Sequence, residues 1–183
     1  MNFRVLKKEE IYRGKIVNLV VDNIEYNSGN RSVREVIEHP GGSVVLAVFE
    51  NHDILLVNQF RYPVKQHVLE LPAGKLDVQE QPLHCAQREL REETGYEAKH
   101  WQKLTAIFTT PGFCDERLHI FMAQDLFQSP DGQALEEGES AGELRVVRMP
   151  LDEAMQKIER NEIVDGKSIA GIMLGQRLLR SKT

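Results

Sequence analysis

The sequence predicts an α/β protein in which a β-rich N-terminal piece is followed by a mixed sheet with flanking helices. Short apolar runs separated by Asn, Gly and Pro turns fill most of the chain before residue 128. Helical periodicity appears in one internal segment and again near the C-terminal end. With 183 residues, the chain is long enough for one full core and a small additional element.

The first third of the chain is predicted to consist of strands. Residues 11–38 form strands around a turn at residues 27–30, where Asn and Gly favour a tight hairpin. A Pro-Gly-Gly break precedes the apolar run at residues 43–50, and an Asn-His-Asp turn leads into the run at residues 53–61. We expect these two runs to pair with each other as a central hairpin.

The remaining elements surround one acidic helical segment. Further strands are expected at residues 67–76, 101–110, 116–126 and 143–150, and helices at residues 151–161 and 167–180. Residues 128–142 are rich in turn residues and acids, which is typical of a mobile loop.

Composition and charge exclude several classes of protein. The net charge is −5 and no long basic run occurs, so nucleic acid is not an expected partner. No apolar window reaches membrane-spanning length and the N-terminus lacks the apolar core of a signal peptide, so we expect no membrane partner. Cys85 and Cys114 show neither zinc-site spacing nor a disulfide framework, which favours a cytoplasmic protein.

The most informative run begins at Gly74 and reads Gly-x5-Glu-x7-Arg-Glu-Leu-x-Glu-Glu-x-Gly. Pro82 suits the first turn of a helix, and Gly95 suits its C-terminal stop. At roughly 100° per residue, four side chains form a core-facing stripe on this helix. They are Leu83, Ala86, Leu90 and Thr94.

Three carboxylates lie beside that stripe. Glu89, Glu92 and Glu93 share an adjacent arc of roughly 100°, where they repel one another unless a cation lies among them. Hard cations such as Mg2+ take oxygen ligands of this kind. Arg88, one turn before Glu92, is close enough to orient a neighbouring acid. A solvated charged face is the alternative interpretation, but the fixed spacings of the whole run favour a functional site.

The run matches, at every fixed position, the signature of the Nudix hydrolases. The resemblance implies an α/β/α sandwich at residues 41–183, preceded by a small β-subdomain at residues 1–40. It also implies Mg2+-dependent hydrolysis of a nucleoside diphosphate linked to a further group, with Mn2+ as an alternative cation. By match to the signature, the metal ligands are Glu89, Glu93, Glu92 and the carbonyl of Ala73. Gly74 lets the backbone pass close to metal and phosphates, and Glu80 supports the loop through Arg88.

Flanking segments resemble the ADP-ribose pyrophosphatase and nucleoside diphosphate sugar branch, which includes GDP-mannose hydrolases. These segments read VNQFRYPV, ELPAG, TTPGFCDERLHIFMAQ and NEIVDGKSI. The resemblance implies that Arg61 holds the diphosphate, since a guanidinium can bind phosphate oxygens in a bidentate way. Glu70 and Glu116 are further candidates for substrate contact. Ordinary positions at a strand end, within a strand and in a solvated turn are the alternatives for these three residues.

The resemblance to this branch implies a general base in the acidic loop, where loop closure can bring a glutamate to the attacking water. The loop offers Glu136, Glu137, Glu139 and Glu143. We favour Glu139, in the middle of the loop, over Glu143, which lies where the last strand is expected to begin. Glu92 is also a catalytic candidate.

Members of the branch are typically homodimers whose N-terminal strands complete the neighbouring site. The resemblance therefore implies a homodimer formed through these strands, with Arg34 in contact with base or diphosphate; a solvent-facing strand charge is the alternative for Arg34. The choice of base and sugar stays open. Two other functions stay open as well: a Nudix hydrolase of dinucleotide polyphosphates or RNA 5′ ends, and a non-catalytic module that binds nucleotide sugars.

Overall fold

The computed structural model describes residues 2–135 and 144–181. The chain divides into two compact units. The N-terminal unit comprises Met1–Gly41 and Phe108–Arg117, and the core unit comprises Gly42–Ile107 and Leu118–Thr183. The N-terminal unit thus includes a segment that the sequence-based division at residue 40 assigns to the larger domain.

The N-terminal unit contains an antiparallel three-stranded sheet. Its strands are β1 (Phe3–Arg13), β2 (Asn18–Tyr26) and β3 (Arg31–Glu38), with β2 in the middle. The predicted turn between β2 and β3 is confirmed, and Gly29 adopts a φ of +85° there. The predicted start at residue 11 was wrong, because β1 begins at Phe3. Every β1 residue is exposed, so its first half carries no alternating apolar signal.

The core unit is mixed α/β. Its strands are β4 (Gly42–Ala47), β5 (Asp53–Arg61), β6 (Gln66–Glu70), β7 (Ala73–Lys75), β8 (Tyr96–Phe108), β9 (Arg117–Gln128) and β10 (Leu144–Pro150). A 3-10 turn spans Tyr62–Val64, and the helices found among the described residues are α1 (Pro82–Thr94), α2 (Leu151–Glu159) and α3 (Gly166–Arg180). No helix in the described ranges has the length and apolar character needed to cross a membrane.

The predicted central hairpin of β4 and β5 was wrong. Strand β4 lies in a sheet of order β7-β4-β9-β8, whereas β5 lies between β10 and β6 in another sheet. Only an isolated bridge between Val48 and Ile54 joins the two runs. Both edges of β4 are already paired, with β9 in parallel and with β7 antiparallel, so β5 has no free edge to join.

Helices cover both faces of β4, because its side chains alternate between two core clusters. Val44 belongs to the cluster that contains Ile172 of α3, and Val45 belongs to the cluster that contains Leu90 of α1. All four side chains are fully buried. The helix–sheet–helix layering expected of an α/β/α sandwich therefore follows from a strand that is apolar on both faces.

Candidate active site

The candidate site is built on strand β7 and helix α1. Strand β7 pairs with β4, which places Gly74 opposite Ser43. Helix α1 begins at Pro82, as predicted, and ends at Gly95, whose φ of +74° and N–H bond to the Arg91 carbonyl form a left-handed cap. Glu89, Glu92 and Glu93 therefore all lie within the helix, whereas Glu80 precedes it.

One face of α1 packs into the core and fixes the helix. Ala86, Leu90 and Thr94 are buried, as predicted, but Leu83 is 36% exposed and does not join the stripe. Leu83 lies in the first turn, before the residues that pack against the sheet. Cys85 is fully buried at this end of the helix instead.

The three carboxylates of α1 occupy different environments. Glu93 is only 2% exposed, and its Oε2 accepts the N–H of Ala73 at 3.0 Å. Glu89 accepts a hydrogen bond from Nη1 of Arg88 at 2.7 Å. The same nitrogen donates to Oε2 of Glu92 at 3.0 Å. Glu93 thus joins helix α1 to strand β7 at Ala73, while Glu89 and Glu92 both bind the guanidinium group of Arg88.

Arg88 also binds the acid that precedes the helix. Its Nε and Nη2 each donate to Glu80 at 3.0 Å, which confirms the expected pairing, and Nη2 reaches the Lys75 carbonyl at 3.1 Å. The hydrogen bond to Glu80 raises the pKa of Arg88 despite partial burial, and Arg88 in turn lowers the pKa of Glu80. Arg88 therefore stays charged and ties the loop to the helix.

The donor set fits a hard divalent cation in its chemistry. Glu89, Glu92 and Glu93 supply carboxylate oxygens, and Gly74 has no side chain to fill the space that the Glu89 carboxylate occupies. Across residues 2–135 and 144–181, no three acidic, histidine or cysteine side chains already converge on one point. Binding a cation there requires Glu89 and Glu92 to turn from Arg88, which long flexible side chains permit.

Arg61 and Glu70 lie together in the core unit. Nε and Nη2 of Arg61 each donate to Glu70 at 2.7 Å, so the guanidinium fork binds a carboxylate. Lys167 also donates to Glu70, which is 2% exposed. Burial raises the pKa of Glu70, but the Arg61 hydrogen bonds and the charge of Lys167 outweigh it and hold the pKa below its ordinary value.

Two other substrate candidates lie in the N-terminal unit. Arg34 is exposed on β3 and donates to the hydroxyl of Tyr26 at 2.6 Å and to the hydroxyl of Ser32 at 2.7 Å. Glu116 accepts from the hydroxyl of Thr109 at 2.8 Å. The loop candidates Glu139 and Glu143, with Glu136 and Glu137, lie outside the described residues.

Sequence reasoning missed the polar residues at the start of α3. Asp165 caps this helix by accepting the N–H of Ser168 at 3.0 Å, and Lys167 lies 3.0 Å from the same carboxylate. The cap could have been predicted from the sequence, because Asp is a typical residue just before the first turn of a helix. Ser168, in the first turn of this helix, accepts the N–H of Leu71 through its hydroxyl oxygen. These two residues are remote in sequence, so no local pattern predicts their contact.

Three relatives support an assignment to a family. The ADP-ribose pyrophosphatase of Bacillus subtilis (strain 168) is 40% identical over 169 residues, which cover 92% of this chain and 90% of that protein. The methanol dehydrogenase activator of Bacillus methanolicus is 37% identical over 169 residues, with the same coverage. The GDP-mannose pyrophosphatase of Yersinia enterocolitica serotype O:8 is 32% identical over 170 residues, which cover 88% of this chain and 87% of that protein.

A solved structure and a family model agree with these relatives. A crystal structure of an ADP compounds hydrolase matches with a TM-score of 0.83 at 22% identity, covering 100% of this chain and 96% of that one, which shows the same fold. The family model described as NUDIX domain matches residues 39–170. That range includes the whole loop-and-helix site, and this chain therefore belongs to the Nudix family.

Proposed function

We propose that this chain is a metal-dependent pyrophosphohydrolase of nucleoside diphosphate sugars of the ADP-ribose and GDP-mannose type. The products are a nucleoside monophosphate and a sugar phosphate. The observation that carries the proposal is the site itself, in which the buried Glu93 carboxylate holds the Ala73 amide and Glu89 lies over Gly74. Relatives named ADP-ribose pyrophosphatase and GDP-mannose pyrophosphatase support the substrate class.

Nudix hydrolases generally use divalent metal ions. For this chain we assign Mg2+, with Mn2+ as the alternative, to Glu89, Glu93 and the Ala73 carbonyl, with Glu92 as a third carboxylate. When bound, such a cation neutralises phosphate oxygens and lowers the pKa of the attacking water. Gly74 contributes by leaving room for the Glu89 carboxylate beside the loop.

Arg61 is the proposed diphosphate contact. Because Nε and Nη2 are bound to Glu70, we assign the phosphate contact to Nη1 and the orientation of the guanidinium to Glu70. Arg34 and Glu116 remain proposed contacts for base, sugar or diphosphate. In the N-terminal unit, Arg34 binds the hydroxyl of Tyr26 and Glu116 binds the hydroxyl of Thr109. These hydrogen bonds limit the directions in which the two side chains can reach.

The proposed general base is Glu139, with Glu143 as the alternative. The base takes a proton from water while the water oxygen forms a bond to phosphorus, and the bridging P–O bond breaks to release the second phosphate. Glu139→Gln should lower the rate and leave substrate binding nearly unchanged. An unchanged rate would move the assignment to Glu143.

We also propose a homodimer formed through the N-terminal strands of a cytoplasmic protein. Strand β1 is an edge strand, and its side chains Val5, Ile11 and Tyr12 are more than half exposed. An exposed apolar edge strand favours pairing with another chain. Light scattering after size exclusion should give twice the mass of the chain, and Ile11→Lys should shift the protein toward the monomer. A wild-type monomer would contradict this proposal.

Product identification by mass spectrometry tests the function. The purified protein is incubated with Mg2+ and ADP-ribose, GDP-mannose, ADP-glucose, UDP-glucose, diadenosine polyphosphates or triphosphorylated RNA. Nucleoside monophosphate plus sugar phosphate is the expected product pair. Cleavage of RNA or dinucleotides alone would keep the pyrophosphohydrolase chemistry and overturn the substrate class. Binding of sugar nucleotides without any turnover would indicate a non-catalytic module.

A further inference from the structure

The first residues of α3 present a hydroxyl group with a fixed direction. Ser168 is fully buried, and its Oγ donates to Asp165 at 2.5 Å, so the hydroxyl proton is already committed. The same oxygen accepts the N–H of Leu71 at 2.7 Å. Asp165 therefore orients the Ser168 hydroxyl so that its oxygen accepts the N–H of Leu71, a residue 97 positions earlier in the chain.

Lys167 provides a second link between α3 and the same segment. Its side chain is 13% exposed, and its ammonium group lies 3.0 Å from Asp165 and also donates to Glu70. Arg61 binds both oxygens of the Glu70 carboxylate. Lys167 thus lies between two carboxylates, which already neutralise its charge. Its position favours a role in holding the chain over a role in binding an anion.

Consecutive residues after Glu70 are each held from a different direction. The side chain of Leu71 is fully buried against α3, where a Cβ at Gly171 would lie 2.6 Å from its Cδ1. The carbonyl of Pro72 accepts the N–H of Val45 at 2.9 Å. The N–H of Ala73 donates to Glu93 at 3.0 Å. The direction of the Ala73 carbonyl therefore depends on how well the two preceding residues are fixed.

We propose that Ser168 and Lys167, both oriented by Asp165, are positioning residues that hold residues 70–74 in the geometry needed for metal binding. The inference rests on the proposed function, because it concerns the site assigned there to the cation. None of the three side chains is a proposed ligand of metal or substrate. They act through the backbone at Leu71 and through the carboxylate of Glu70.

A titration with Mn2+ tests the inference without turnover. The electron paramagnetic resonance signal of the free ion measures how much Mn2+ is bound. Ser168→Ala should weaken Mn2+ binding about tenfold, a typical effect of losing a residue that supports a metal ligand. Ser129→Ala is the matched control, because this buried serine donates its hydroxyl proton to Glu97 at 2.6 Å and its backbone N–H to the Gly95 carbonyl. The control should bind Mn2+ as tightly as the wild type.

A second variant keeps the test decisive if Ser168→Ala does not fold. Lys167→Met should also weaken Mn2+ binding, and Lys167→Arg should restore most of it by keeping a cation between Glu70 and Asp165. With an active wild type, both weakened variants should need about tenfold more Mg2+ for half-maximal rate. The KM of Ser168→Ala for the sugar nucleotide should stay within about twofold of wild type, because Ser168 acts through the Leu71 amide and not through the Arg61–Glu70 pair.

Wild-type Mn2+ affinity in folded Ser168→Ala or folded Lys167→Met would overturn the inference. A raised KM with unchanged metal dependence in Ser168→Ala would overturn it as well, since it would indicate a role toward the substrate and not toward the metal. The proposed function fails separately, when the wild type binds Mn2+ but cleaves no sugar nucleotide. In that case the Mn2+ affinities of the variants still decide the positioning role.

Discussion

The carboxylate of Glu89 occupies the space where a side chain at Gly74 would begin. A Cβ built on Gly74 would lie 1.8 Å from Oε1 and 1.9 Å from Cδ of Glu89. No pair of non-bonded heavy atoms approaches so closely, so any substitution at Gly74 must displace this carboxylate. The glycine of the signature is therefore needed for space, and its φ is not in the left-handed region.

Gly74→Ala should weaken metal binding more than it lowers the stability of the fold. The displaced atoms are the far end of a flexible side chain, so the fold adapts, but the proposed ligand Glu89 loses its position. We expect the Mg2+ concentration for half-maximal rate to rise about tenfold or more. Gly112→Ala is the control, because no atom lies within 4 Å of its built Cβ. Equal Mg2+ dependence in the two variants would contradict the assignment of Glu89.

Glu93→Gln should remove most turnover while leaving the fold intact. The amide oxygen of Gln can still accept the Ala73 N–H, whereas the charge needed for a cation is gone. We expect a fall in kcat of about 100-fold or more, with an unchanged circular dichroism spectrum. Glu153→Gln, an exposed acid in the first turn of α2, should behave as wild type. Near-normal rates in folded Glu93→Gln would contradict the metal-site assignment.

Much of this site follows from fixed spacing along one helix. Pro82, Gly95 and the three glutamates could be placed from the sequence, because helix geometry converts spacing into direction. Pairing between distant strands could not be predicted in the same way. The run at β4 reads as half of a hairpin, but a strand that is apolar on both faces does not indicate which partners take its edges.

The Arg61–Glu70 pair shows a similar limit. Both residues were selected as separate substrate contacts, whereas the structure joins them through two hydrogen bonds of 2.7 Å. Their pairing depends on the register of β5 against β6, which places Arg61 opposite Gln66 and Val57 opposite Glu70. The two residues are therefore not opposite each other in the ladder, and both long side chains reach along the strands to meet. Sequence spacing alone does not reveal such a diagonal contact.

Glu70 should make the stability of the protein dependent on acid pH. Its folded pKa lies below the ordinary value of 4.5, so its contribution is complete above that pH and is lost as pH falls through the folded pKa. Glu70→Gln should reduce the free energy of unfolding at pH 7 by about 2 to 3 kcal/mol, because two cations lose a buried carboxylate. Urea unfolding of both proteins at pH 7 and in acid measures the difference, which should shrink below about pH 4.5.

The control for this pH effect is Glu162→Gln. Glu162 pairs with Lys157, but its side chain is 46% exposed, so its loss should leave the free energy of unfolding nearly unchanged. A Glu70→Gln protein with the same small loss as this control would show that the buried cluster does not stabilise the fold.

The two cysteines should differ in reactivity. Burial raises the pKa of Cys85 to about 12, and its side chain is fully buried, so the thiolate is neither populated nor accessible at neutral pH. Cys114 is partly exposed. Mass spectrometry after brief treatment with a maleimide should show one modified cysteine in the native protein and two after denaturation. Rapid double modification of the native protein, or labelling that persists in Cys114→Ser, would contradict this assignment.

The hydrogen bond from Leu71 to Ser168 has a consequence for the order in which the protein assembles. It closes a loop of 97 residues, and contacts of such long sequence separation form slowly because they require much of the chain to be ordered first. All the proposed metal ligands are synthesised well before helix α3 exists. A nascent chain that ends before residue 168 carries every proposed ligand but lacks Ser168, so the proposed positioning role leads us to expect a mature site only when the C-terminal helix docks.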